Sequence, residues 1–103
     1  MKNYNLNEKI IFSDEKPIKR HFLNAQGFHA ALICLKSGVE IPPHPEDYAV
    51  LLTVLEGQGI FTDINGKKTL TKNQSIYIKK DEIRGIKAVE NLVVLGIQDR
   101  PKN

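Results

Sequence analysis

The sequence is short of the features that would make several functions easy to assign. A single cysteine, Cys34, stands among 103 residues, so no internal disulfide can form. It sits in the apolar run AALICL, where a thiol is expected to pack as a small hydrophobe rather than react. No apolar run approaches the roughly 18 residues of a membrane span, so no membrane partner is expected. The first residues, MKNYNLNEKIIF, are polar and carry charge inside their only apolar patch. They lack the apolar centre of a secretory leader, and the expected location is cytoplasmic. Helix signals are scarce: YNLNEKII has room for one turn, and Pro17 blocks an extension through the next segment. Repeats, low-complexity tracts and linkers are missing, so residues 1–103 are expected to form a single domain with one core. A phosphate loop, a nucleophile elbow and a zinc-binding cysteine pair are also missing. Lysine and arginine exceed aspartate and glutamate by 15 to 12. Yet the basic residues are scattered, KKDEIRGIK interleaves them with acids, and no aromatics alternate with a basic stripe. Nucleic acid is therefore not an expected partner.

What the sequence does have is a set of short apolar runs of strand length. Hydrophobic residues make up 41% and charged residues 26%, ordinary for a folded globular chain. FHAALICL (28–35), YAVLLTVLE (48–56), GIFTDI (59–64), SIYIK (75–79) and NLVVLGI (91–97) read as strands from their length, their β-branched content or their alternation. KIIFS (9–13) and RHFL (20–23) are weaker candidates. Asn65-Gly66 marks a hairpin, with both residues expected at positive φ. LNAQGF (23–28) reads as a longer hairpin loop with Gly27 left-handed, and EGQG (56–59) as a tight corner between strands. Roughly eight to ten short strands without helices must bury their apolar faces on one another, and closure limits exposed edges. The expected fold is all-β, a small barrel or double-sheet jelly roll, whose interior is the natural place for a ligand.

The segment GVEIPPHPEDYAVLLTVLEGQG (38–59) carries the strongest functional signal. Pro42, Pro43 and Pro45 hold His44 in stiff, extended backbone. In unbroken extended chain His44 and Glu46 share a face with Tyr48, Val50, Leu52 and Val54. The opposite face is also apolar from Ala49 onward, which suggests a strand buried on both sides, one side in the barrel and one in a dimer interface.

This segment resembles the first motif of the cupin superfamily: a glycine, five residues, His-x-His, three or four residues, a glutamate, six residues and a glycine. Gly38, His44 and Gly57 match in register, while Glu46 stands at the second histidine and Val50 at the glutamate. The second cupin motif runs glycine, five residues, Pro-x-Gly, two residues, histidine. NQSIYIKKDEIRG keeps its rhythm, with Asn73 for the first glycine, Lys79 for the proline, Asp81 for the second glycine and Arg84 for the histidine. The resemblance covers residues 20–98 and implies a small jelly-roll β-barrel (cupin), commonly a homodimer, with a metal held inside by three histidines and a glutamate.

Of those ligands only His44 survives unchanged. Val50 cannot bind a metal, and Arg84 brings a permanent positive charge to an imidazole position. The expected site is therefore degenerate, with no cofactor: a pocket for an unidentified small molecule contacted by His44, Glu46, Arg84 and Tyr48 and walled by Val50, Leu52 and Ile33. Two roles stay open for Arg84, an ion pair with Glu46 or a clamp on a carboxylate or phosphate of the ligand. An alternative is a metal-dependent enzyme, a dioxygenase or isomerase, with divalent iron, manganese, zinc or nickel on His44, Glu46 and His29. Spacing does not fix whether His29 or His21 faces the lumen. A third reading is a structural or partner-binding module whose barrel is filled by side chains.

Overall fold

The computed structural model describes residues 1–99. A single 3-10 turn, Leu6–Lys9, opens the chain, started by the Asn5 side chain accepting from the Asn7 amide. Nine strands follow: β1 (Ile18–Asn24), β2 (Phe28–Leu35), β3 (Glu40–Pro45), β4 (Val50–Glu56), β5 (Gln58–Asp63), β6 (Gly66–Thr71), β7 (Ser75–Ile78), β8 (Ile83–Ala88) and β9 (Leu92–Asp99). They form a five-stranded sheet in the order β1-β2-β9-β4-β7 and a four-stranded sheet in the order β3-β8-β5-β6. All strand pairs are antiparallel. The architecture is the expected jelly-roll barrel. Among the described residues no helix is long and apolar enough to cross a membrane.

The two sheets close over one apolar core. Strand β4 supplies Val50, Leu52 and Val54 to it, while Leu51 points outward, as a period of two demands. Across the core, Phe61 of β5 is fully buried beside Ile86, Leu92 and Val94. A second, smaller cluster lies on the outer face of the large sheet, where Ile10, Phe12 and Leu55 pack on Leu32, Cys34 and Val93. KIIFS is therefore not a strand. Ile10 and Phe12 instead cover a sheet face that a two-layer barrel would leave wet, while Ile11 is exposed. Burial under this segment pushes the Cys34 thiol up, against a smaller opposing pull from a backbone hydrogen bond at Ile11 and from Arg20.

Apart from KIIFS, the strands named from the sequence appear within a few residues of their expected bounds, whereas β3 and β8 lie outside the named runs. The β8 sequence, IRGIKA, is short and carries two cations, and it is held by pairing with β3 and β5 rather than by its own pattern. The hairpin at Asn65-Gly66 is present, but only Gly66 has positive φ. Register pairs Asp63 with Gly66, so Ile64 and Asn65 are the central residues, and Asp63 Oδ1 accepts from the Asn65 amide instead.

The glycine positions of both motifs coincide with left-handed turns. Gly38 and Gly57 have φ of 86° and 87°. Asn73 and Asp81, which stand at the two glycine positions of the second motif, are the described non-glycine residues with positive φ, at 71° and 68°. Asparagine and aspartate tolerate this left-handed region better than other side chains, so the backbone of both turns survives the loss of glycine.

Gly57 has no such latitude. The chain leaves the large sheet at Glu56 and enters the small one at Gln58, so this one residue makes the crossing. A Cβ on it would overlap the Asn91 carbonyl, which is backbone and cannot swing aside. Gly57→Ala is expected to destabilise the fold by about 3 kcal/mol. Gly27→Ala serves as the control, because its φ of 97° is also positive but nothing lies within 4 Å of the added carbon. Urea unfolding of both variants checks this; equal losses would show that only the dihedral matters.

Candidate functional site in the barrel

A pocket opens between the sheets at one end of the barrel. Its wall is built by alternate residues of neighbouring strands: Lys19 from β1, Ala31 and Ile33 from β2, Gly96 and Gln98 from β9, Val50 and Leu52 from β4, Ile41 from β3, and Arg84, Gly85 and Ile86 from β8. Tyr48, in the connection between β3 and β4, closes it on one side. The atom-free space is about 480 Å³, counted out to the solvent at its mouth. Much of that space is open to solvent, and the part in which a water-sized molecule can be centred is about 60 Å³. The space exists partly because of Gly96, where an added Cβ would come to 3.4 Å from Ile33 and 3.5 Å from Leu52. Gly85 serves differently: a Cβ on it would meet Pro43 at 2.9 Å, so its bareness lets β3 lie close on β8.

Of the seven residues expected to contact a ligand, five meet in this wall: Ile33, Tyr48, Val50, Leu52 and Arg84. His44 and Glu46 do not. His44 lies opposite Arg84 in the β3–β8 register, but its ring turns to the rim, with Nδ1 2.9 Å from the Pro42 carbonyl and Nε2 3.1 Å from Glu46 Oε2. The two side chains remain 42% and 37% exposed. Strand β3 breaks register between Ile41 and His44 and stops at Pro45, so the alternation that would have put His44 and Glu46 on the face of Val50 is interrupted. Proline donors are missing from this stretch, and the backbone cannot hold an unbroken ladder there.

Arg84 is the buried charge of the site, 6% exposed. The ion pair with Glu46 does not form. Arg84 Nε donates to Glu82 O at 3.2 Å, and Nη2 donates to Lys79 O at 3.0 Å and Glu82 O at 3.1 Å. The guanidinium thus caps the carbonyls of the turn between β7 and β8. Its Nη1 is buried with no hydrogen-bond partner among the described residues. The guanidinium carbon stands 5.1 Å from the Tyr48 ring centroid, and the Lys19 ammonium stands 5.7 Å from the same ring. Lys19 Nζ also donates to Gln98 Oε1 at 3.3 Å. Burial lowers the affinity of Lys19 for its proton and Arg84 adds to this, while Glu46 opposes it. Burial, then Glu46, pushes the Tyr48 hydroxyl up, so the phenol stays neutral.

Sequence reasoning missed Lys19 and Gln98. Both sit in strands, at alternating positions, but only the register that sets Lys19 opposite Ile33 and Gln98 opposite His29 and Val50 turns them to the lumen side. His29 shares a face with Gln98 by that pairing, and its Nε2 is buried without a partner. Its ring meets that of His21 edge-on at 5.7 Å, not that of His44. Among the described residues no three histidine, cysteine, aspartate or glutamate side chains come together as metal ligands. The donor set therefore does not fit the metal cage that the motifs imply: His44 and Glu46 are near one another, His29 stands elsewhere, and Val50 and Arg84 occupy the other two ligand positions.

No protein-family model and no curated relative matches the chain. Solved structures do. An RmlC-like cupin from Desulfovibrio desulfuricans superposes with a TM-score of 0.87 at 24% identity, over 96% of both chains. A double-stranded β-helix protein from Klebsiella pneumoniae gives 0.87 at 17% identity, over 96% of this chain and 90% of its own. An RmlC-like cupin from Shewanella frigidimarina gives 0.77 at 15%, over 84% of this chain and 78% of its own. The chain has the cupin fold, and at these identities the likeness speaks for the fold alone.

The cationic rim has a consequence for pH. His21 is held below its ordinary value of 6.5, first by burial and then by Lys19 and His29. Just below 6.5 the unfolded chain thus binds a proton that the folded chain refuses. The contribution of His21 to stability is present at neutral pH and is lost as pH falls from 6.5 through the folded value. Titration of the His21 ring by NMR is expected to give a midpoint below the ordinary one, and Lys19→Gln to move it upward. A midpoint at or above the ordinary value would refute the assignment.

Proposed function

We propose that this chain binds a small organic molecule in the barrel pocket, at a site built without the metal cage. The observation that supports this reading is the wall itself: Ile33, Ile41, Val50, Leu52 and Ile86 around open space, with a buried Arg84 that has one nitrogen unpaired. A largely apolar cavity with a few convergent polar groups is the usual form of a small-molecule site. A barrel serving only as a structural module would gain by filling this volume, since empty apolar space costs stability.

The test is methyl NMR with a mixed set of neutral, anionic and cationic fragments. Shifts confined to the methyls of Ile33, Val50, Leu52 and Ile86, and abolished by the pocket-filling Gly96→Leu variant, are expected. If no fragment class moves those methyls while Gly96→Leu raises the melting temperature, the barrel is a structural module and the binding reading fails.

A second copy of the chain is the partner we propose. Leu51, Tyr77 and Ile97 are 39%, 61% and 37% exposed. Register sets Leu51 opposite both others, so they form one apolar strip across β7, β4 and β9 on the outer face of the large sheet. The strip is self-complementary in the way an isologous two-fold contact needs. Sedimentation equilibrium should find a dimer for the native chain and a monomer for Ile97→Glu. A native monomer at high micromolar concentration defeats this reading.

A further inference from the structure

Arg84 and Lys19 point to the chemical class of the ligand. This inference rests on the binding reading above and narrows it. A buried guanidinium is ordinarily matched by a carboxylate, because an unmatched charge away from water is costly. Among the described residues Arg84 has no acidic partner. Glu46, the acid acting most on this rim, is held 3.1 Å from His44 instead. The guanidinium is satisfied on its Nε and Nη2 sides by the carbonyls of Lys79 and Glu82, which are neutral, and its Nη1 is left buried and empty-handed. A second cation, Lys19, converges on the same ring from which Arg84 is 5.1 Å away. Two like charges brought together in a partly buried rim repel one another, and that repulsion is relieved by an anion placed between them. Beyond them the wall is apolar.

We propose that the pocket takes an organic monocarboxylate, its head held between Arg84 Nη1 and the Lys19 ammonium at the edge of Tyr48, and its apolar body lodged among Ile33, Val50, Leu52 and Ile86. Charge balance decides between acid types. Arg84 and Lys19 bring two positive charges, and Glu46 acts on Lys19 with one negative charge. A carboxylate with a single charge balances that rim, whereas a phosphate monoester would bring up to two.

Isothermal titration calorimetry with hexanoate, hexyl phosphate and 1-hexanol tests this on the full chain. Hexanoate should bind at least about tenfold more tightly than 1-hexanol, the factor expected when a charge-assisted hydrogen bond is lost. Lys19→Gln should weaken hexanoate by about tenfold while leaving 1-hexanol unchanged. Lys19 is the variant of choice because Arg84 also ties down the turn between β7 and β8, and Arg84→Gln can lose the fold. Equal binding of hexanoate and 1-hexanol, or hexanoate binding unaffected by Lys19→Gln, overturns the anionic head and leaves the pocket reading standing. Tighter binding of hexyl phosphate than of hexanoate overturns the carboxylate in favour of phosphate. If none of the three probes binds, the inference falls, and the fragment shifts at the Ile33, Val50, Leu52 and Ile86 methyls decide separately whether the pocket reading falls with it.

Discussion

The barrel depends on a crossing made in a single residue. Strand β4 belongs to one sheet and β5 to the other, and Gly57 alone separates them. A left-handed glycine pressed on the Asn91 carbonyl lets the chain turn there with no intervening loop. Because the turn is so short, the register of β5 against β8 is fixed by the register of β4 against β9, and both sheets keep their inward faces toward one another. Phe61, Val54 and Leu92 are consequently buried from three strands at once. The pocket is walled by residues of the same two sheets, Ile33, Val50, Leu52 and Ile86 of the core among them.

Much of this fold was legible in the residues. The glycines and their spacing gave the corners, and five of the strands could be read from apolar runs. β8 could not, because its two cations, Arg84 and Lys87, hide a strand whose inward residues are Arg84, Ile86 and Ala88. The apolar wall at Ile33, Val50 and Leu52 followed from a period of two within each strand. The polar contacts were harder, since they depend on how strands pair. Lys19 reaches the lumen only because β1 adds to the edge of the large sheet in register with Ile33. His44 was displaced by a local event, the break in β3 at the proline pair, which a face-counting argument assumes away.

Charged side chains gather where the motif would place metal ligands. In the motif, the Arg84 position would carry an imidazole. Here a guanidinium supports the fold, through the Lys79 and Glu82 carbonyls, and its Nη1 is buried without a partner among the described residues. Lys19 and Tyr48 then share its neighbourhood, so the proton affinities of Lys19 and Tyr48 are set in part by that one fixed cation.

Gly96 gives the pocket a further property. It stands mid-strand in β9 with an ordinary backbone conformation, facing Ile33 and Leu52 at distances that admit a methyl group. Nothing about the fold demands glycine there. An alanine there would reduce the cavity at ordinary contact distance from Ile33 and Leu52. The depth of the pocket and the charge at its rim thus belong to different strands, β9 for the one and β1 and β8 for the other, and each can change while the other is kept.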